Sequence, residues 1–165
     1  MRIKRAVQHL SMTEGRVKRA FSAASMTSIE ATIHACEAVH IGEICFVVEA
    51  ALGTTALLQN QSSRDRALEL FSSLRVWDTE HNCGVLIYLL FADRQVEIIA
   101  DRGIQAKSGP QVWAQICEAM TAAFKEERFE EGSLQGIRAV ARELSGHFPN
   151  PSAQGNELPD RPILL

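Results

Sequence analysis

A chain of 165 residues is long enough for one domain with its own hydrophobic core. Its 46% hydrophobic and 22% charged content is ordinary for a globular protein, and a net charge of -3 removes the general electrostatic case for nucleic acid. The longest apolar run, Val85 to Ala92, is of strand length and no signal-peptide pattern is present, so the sequence reads as that of a cytoplasmic protein.

The first segment is locally basic despite the overall charge. Arg2, Lys4, Arg5, Arg16, Lys18 and Arg19 stand against a single acid, Glu14, which predicts a basic helical arm over residues 1–24. Such an arm suits peripheral contact with an acidic membrane face or a protein partner, and equally a solvated surface. Ser11 with Glu14 forms a capping-box pattern for a short helix to about Ser22, and Thr27 with Glu30 forms another for a helix to about His40. In the second, Ile29, Ile33, Cys36 and His40 share a face before Gly42 stops it. Glu43–Glu49 is apolar on both faces between acidic ends, the pattern of a central strand covered on both sides.

Residues 51–61 read as a loop. Ser62 and Asp65 open the next helix, with Ala67, Leu68, Phe71 and Leu74 as its buried stripe. Trp77 to Cys83 is a polar loop leading into a second buried strand at 84–91. Ala92-Asp93-Arg94 is a tight turn into a third strand at 95–100. Gly103 and Gly109 bracket a short loop, and Pro110 suits a first helical position ahead of Val112, Trp113, Ile116, Met120 and Phe124. A last helix runs from about Gly132 to His147, and Pro149, Pro151, Pro159 and Pro162 make the tail irregular. A fourth strand has room only in 51–61 or in that tail.

The order ααβαββαα specifies an α/β fold, a three-layer α/β/α sandwich with a small mixed sheet and helices on both faces. It divides into an arm (1–24), a domain (25–148) and a Pro-rich tail (149–165). Cys36, Cys45, Cys83 and Cys117 are widely spaced without a CxxC pair and read as reduced, mostly buried thiols.

Connection rules say where chemistry gathers. A right-handed crossover makes the first two strands parallel, and the tight turn at Asp93 makes the third antiparallel to the second. The starts of strands one and two and the end of strand three then share one rim. That rim collects Glu43, Asp78, Thr79, Glu80, Asn82, Asp101 and Arg102. Oxygen donors in that number suit Ca2+ or Mg2+, and a cation would relieve repulsion among the carboxylates. The same acids also read as solvated loop residues, and Asp101-Arg102-Gly103 as a salt-bridged turn. Glu49 and Asp93, at the opposite end, are the second candidate site, where ligands of open α/β sheets commonly bind.

The combination of Gly42-Glu43-Ile44, Thr79 ahead of Asn82-Cys83-Gly84-Val85-Leu86-Ile87, and Asp101-Arg102-Gly103-Ile104 resembles the TPM domain family, the thylakoid-lumen-phosphatase-like group. Trp113, Phe124, Gly132, Phe148-Pro149 and Asn156-Glu157-Leu158-Pro159 continue the likeness, which covers about 28–162. The resemblance implies an α/β/α sandwich, calcium or magnesium binding in several members and acid phosphatase activity in some. It points to Glu43, Thr79, Asn82 and Asp101 as the metal neighbourhood, with Asp78 and Glu80 next. Cys83 departs from the family, which often carries a second polar residue there; many relatives are exported or membrane-tethered.

Two functions follow as expectations. One is a cation-dependent binding or regulatory module, with Trp77 as an anchor for a protein partner if it is exposed. The other is metal-assisted phosphate-ester hydrolysis, with Asp101 or Glu43 as base and Arg102 steadying charge. Sequence patterns of a cysteine phosphatase loop, an Asp-x-Asp pair or a P-loop are absent. His34 and His40 have the wrong spacing to ligate together, and His81 reads as a solvated loop histidine.

Overall fold

Strands apolar on both faces have to lie inside a sheet. The computed structural model, which describes residues 3–150 and 156–165, places β1 (Glu43–Glu49) and β2 (Gly84–Leu90) side by side in parallel, with every residue of both buried. β3 (Gln95–Ala100) pairs antiparallel to β2, and β4 (Ile163–Leu164) pairs parallel to β1, giving the order β3-β2-β1-β4. The fourth strand therefore comes from the tail. Arg2 and Pro151, counted above with the arm and the tail, lie outside the described residues.

Side-chain alternation separates two cores. Ile44, Phe46, Val48, Val85, Ile87, Leu89, Val96 and Ile98 pack on one face with α3 (Ala23–Glu37), α7 (Pro110–Lys125) and α8 (Phe129–His147). Cys45, Val47, Leu86, Tyr88, Leu90 and Ile99 pack on the other with α4 (Thr54–Leu58) and α5 (Ser63–Ser73). This is the three-layer sandwich, built from period-two strands between apolar helix stripes.

Several boundaries differ from the sequence reading, each for a local reason. α3 starts at Ala23 because Ser22 caps it, its side chain accepting from Ser25 N at 3.1 Å, while Thr27 sits inside the helix and donates back to the Ala23 carbonyl. The basic arm is two helices, α1 (Ile3–Leu10) and α2 (Glu14–Ala20); Ser11 donates to the Gln8 carbonyl and Thr13 takes the cap position of α2. Residues 51–61 contain α4, and 102–108 form α6 (Arg102–Ser108) rather than a loop. These helices of five and seven residues are too short to show an apolar period. The Ser62/Asp65 capping box is present in both directions, and Pro110 occupies the first turn of α7.

The arm is tied to the body. Arg5 donates through Nε to Asp93 Oδ2 at 2.9 Å and through Nη1 to the Gln61 carbonyl at 2.9 Å, and Gln8 donates to the Ala92 carbonyl. His9, 3% exposed, accepts from Leu52 N at Nδ1 (3.0 Å), which leaves its Nε2–H to donate to Asp93 Oδ1 at 2.9 Å. α2 is anchored by Val17 and by Phe21, whose ring lies against Phe91, Phe124 and Phe129.

Candidate functional site

Strand register builds the rim. Glu43 lies opposite Gly84, and Asp101 N donates to the Gly84 carbonyl at 2.9 Å, so the ends of three strands stand abreast. Gly84 is required there: a Cβ would lie 1.9 Å from the Val76 carbonyl oxygen, where the 76–83 loop crosses the strand start. Gly103 makes a similar approach, its missing Cβ 2.5 Å from the Asn82 carbonyl, which accepts from Gly103 N at 2.9 Å. The two glycines bring the loop and the start of α6 together.

Glu43, Thr79, Asn82, Asp101 and Arg102 share this rim. Thr79 is buried and its Oγ1 accepts from Cys83 N at 3.1 Å. Asn82 takes a positive φ of 53° and its Oδ1 accepts from Arg102 Nε at 2.9 Å. Asp101 caps α6, with Oδ1 accepting from Arg102 N at 2.7 Å, while Oδ2 is buried with no hydrogen-bond partner among the described residues. Asp78 is exposed and paired with Arg75. Glu80 is exposed, and its backbone N donates to Glu157 Oε2 at 3.1 Å.

The tail adds two acids, Glu157 and Asp160, and the end of α3 a third, Glu37, that local reading did not connect with the rim. Both Glu43 oxygens accept from the tail backbone, from Glu157 N at 3.1 Å and Leu158 N at 3.0 Å. Glu37 accepts from Ile44 N at 2.8 Å, and Asp160 is held by His34 Nδ1 at 2.8 Å. Burial, followed by the Glu43 and Asp160 carboxylates, pushes the Glu37 carboxyl up to about 9, against the pull of the Ile44 N–H. Its burial thus favours the protonated form of the Glu37 carboxyl. Burial likewise raises Glu43, opposed by the two tail N–H groups and reinforced by Glu157 and Asp160. Burial also lifts the Cys83 thiol to about 11, helped by Glu157, Glu43 and Asp101 and opposed by Thr79. That thiol is no nucleophile at neutral pH.

The acids converge, yet among the described residues no group of three or more His, Cys, Asp or Glu side chains is disposed as a ready metal site. The hydrogen bonds supply the reason: Glu43 spends both oxygens, and Asp101 one, on backbone N–H groups. Asp101 Oδ2 is left buried without a partner among the described residues, and Glu80 and Glu157 lie exposed on the adjoining loop and tail.

Glu49 and Asp93, at the far end, sit in separate ion-pair networks. Glu49 is buried, gripped by Arg66 through Nε (2.9 Å) and Nη2 (3.0 Å), and accepts from Tyr88 Oη at 2.7 Å. Asp93 is held by Arg5 and His9. Among the described residues no helix is long and apolar enough to cross a membrane.

The TPM domain family model matches residues 17–143. Of solved structures, the BA42 protein of the psychrophilic bacterium Bizionia argentinensis superposes with a TM-score of 0.77 at 26% identity, covering 87% of this chain and 94% of that one. The N-terminal domain of a P. gingivalis protein gives a TM-score of 0.63 at 20% identity, covering 82% of each chain. The N-terminal domain of the Corynebacterium glutamicum cg2496 protein gives 0.56 at 15% identity, over 82% of this chain and 81% of that one, so these last two share the fold alone. No curated protein matches the chain.

Proposed function

The chain belongs to the TPM domain family, and from that premise we propose that it is a divalent-cation-binding module, taking calcium or magnesium at the rim and using the ion to order a surface for a protein partner. The observation that carries this reading is Asp101: more than nine-tenths buried, fixed by its cap bond, with one carboxylate oxygen left unpartnered. A buried polar oxygen without a partner is costly unless a donor or a cation reaches it. Glu80 and Glu157 would supply further oxygens, and Asn82 a neutral one if Arg102 releases it. An ion held between loop and tail would stiffen the 77–83 segment, which carries Trp77 at 47% exposure, available to a partner.

Binding is better supported than phosphate-ester hydrolysis. Glu43, one of the two candidate bases, has both oxygens engaged by backbone N–H groups, and the nearby Cys83 is held as a thiol. Arg102 is exposed and hydrogen-bonded to Asn82.

Titration of calcium and of magnesium, followed by amide chemical shifts, tests the reading. Saturable shifts should centre on Glu80, Asn82, Asp101 and Glu157 and vanish in Asp101→Asn; their absence with both ions sinks it. Turnover of p-nitrophenyl phosphate that needs metal and Asp101 would instead make the protein a hydrolase.

A further inference from the structure

The docking of α1 on the Asp93 turn settles which of its side chains face outward. Arg5, Ala6, Gln8 and His9 are spent on the body, and α2 is pinned by Val17 and Phe21. What remains outside includes an apolar pair, Val7 at 58% and Leu10 at 69% exposure, together with Lys4, Arg16 and Arg19 and the paired Glu14 and Lys18. We propose that this end of the molecule is a docking face for an anionic membrane surface, formed by Val7 and Leu10 with Lys4, Arg16, Arg19 and Arg94.

The cations converge on one feature. A groove of about 840 Å³ between α1, α2 and the β2–β3 turn is lined by Lys4, Arg16, Arg19 and Arg94, with Glu127 as its one carboxylate. Glu127 lies 3.8 Å from Arg94. Among the described residues Lys4 and Arg16 have neither an ion pair nor a side-chain hydrogen bond, and Arg19 donates only to the Gly15 carbonyl. On α1, Val7 is one turn from both Lys4 and Ser11, which line the groove, and Leu10 is one turn beyond Val7. The apolar pair therefore borders the basic groove.

Each half alone would fit a simpler ligand. A free phosphate would satisfy the cations and leave Val7 and Leu10 in water; an apolar partner would do the reverse. An anionic lipid surface takes both, the cations meeting headgroups and the apolar pair entering the acyl boundary. The acids of the rim do not oppose this. They lie at the other end of β1, seven residues or roughly 20 Å away, beyond the Debye length of about 8 Å at physiological salt. α1 lies ahead of the family-matched residues, whereas Arg19 and Arg94 fall within them.

The test is co-sedimentation of the full chain, in chelator, with phosphatidylcholine vesicles and with vesicles one third phosphatidylserine. Binding should appear only with phosphatidylserine, weaken with salt, and be no weaker in inorganic phosphate than in sodium chloride of the same ionic strength. Lys4→Glu/Arg16→Glu and Val7→Ser/Leu10→Ser should each reduce it at least about tenfold. Because those side chains are exposed and the two cations unpaired, both variants should melt with the wild type. Failure to bind, equal binding to both vesicles, indifference to either double substitution, or displacement by inorganic phosphate beyond that by sodium chloride of equal ionic strength would each overturn the proposal.

Discussion

Asp93→Ala should release α1 from the body while leaving the domain folded. Asp93 is a carboxylate at 19% side-chain exposure that holds Arg5 at 2.8 Å and the fully buried side chain of His9 at 2.9 Å. Bonds to a charged group contribute about 1.5–3 kcal/mol each, and breaking a buried pair by removing one partner costs about 3–5 kcal/mol. With the Arg5 side chain at 27% exposure, able to recover water, a loss of about 2–4 kcal/mol is the reasonable range. That exceeds what the remaining anchors of an eight-residue helix can offset: Ala6, two carbonyl contacts and the Leu52–His9 bond. The assay is native-state amide exchange. Helix amides of residues 7–10 and the Leu52 amide, which donates to His9, should exchange about 30- to 700-fold faster, at about 1.4 kcal/mol per tenfold. Amides of β2 should stay protected. Unchanged exchange at Leu52 would show that the carboxylate does not hold the helix, and loss of protection in β2 would show that it supports the whole fold.

Three further outcomes are expected. Asp101→Asn keeps a good helix cap and replaces a buried side chain that has one unpartnered oxygen by an amide, so without metal the variant should be as stable as the wild type or more stable by up to about 1 kcal/mol. Calcium at a hundred times its dissociation constant should stabilise only the wild type, by about 2.7 kcal/mol, which thermal melts with and without the ion would reveal. Gly84→Ala should cost at least about 2–3 kcal/mol in a denaturant titration, because the clash is with the Val76 carbonyl rather than a movable side chain. For pH, Glu37 has a folded value of about 9 against 4.5 ordinarily, so the folded state binds that proton more tightly and stability falls as pH rises through that window. Buried His40 runs the other way: burial lowers it to about 4 from 6.5, despite its bond to the Gly42 carbonyl, and its contribution is lost as pH falls below 6.5. Melting temperatures from pH 5 to 9 should lose the alkaline decline in Glu37→Gln and keep it in the wild type.

The strands, the parallel pairing of β1 with β2 and the gathering of Glu43 with Asp101 were legible in the amino-acid order. Doubly apolar runs have one stable location, and a right-handed crossover leaves little freedom in direction. The Ser62/Asp65 and Pro110 helix starts were legible for the same kind of reason, since each acts within one turn. Tertiary structure alone decided how the rim's oxygens are spent. Glu43 meets Glu157 and Leu158 across more than a hundred residues, and Glu37 meets Asp160, through bonds with no local signature. It also decided that the basic arm is fastened by Asp93, because an ion pair 88 residues apart in sequence leaves no pattern in either segment. Periodicity and capping reach only a few residues along the chain, whereas a carboxylate accepts whichever donor the fold brings to it.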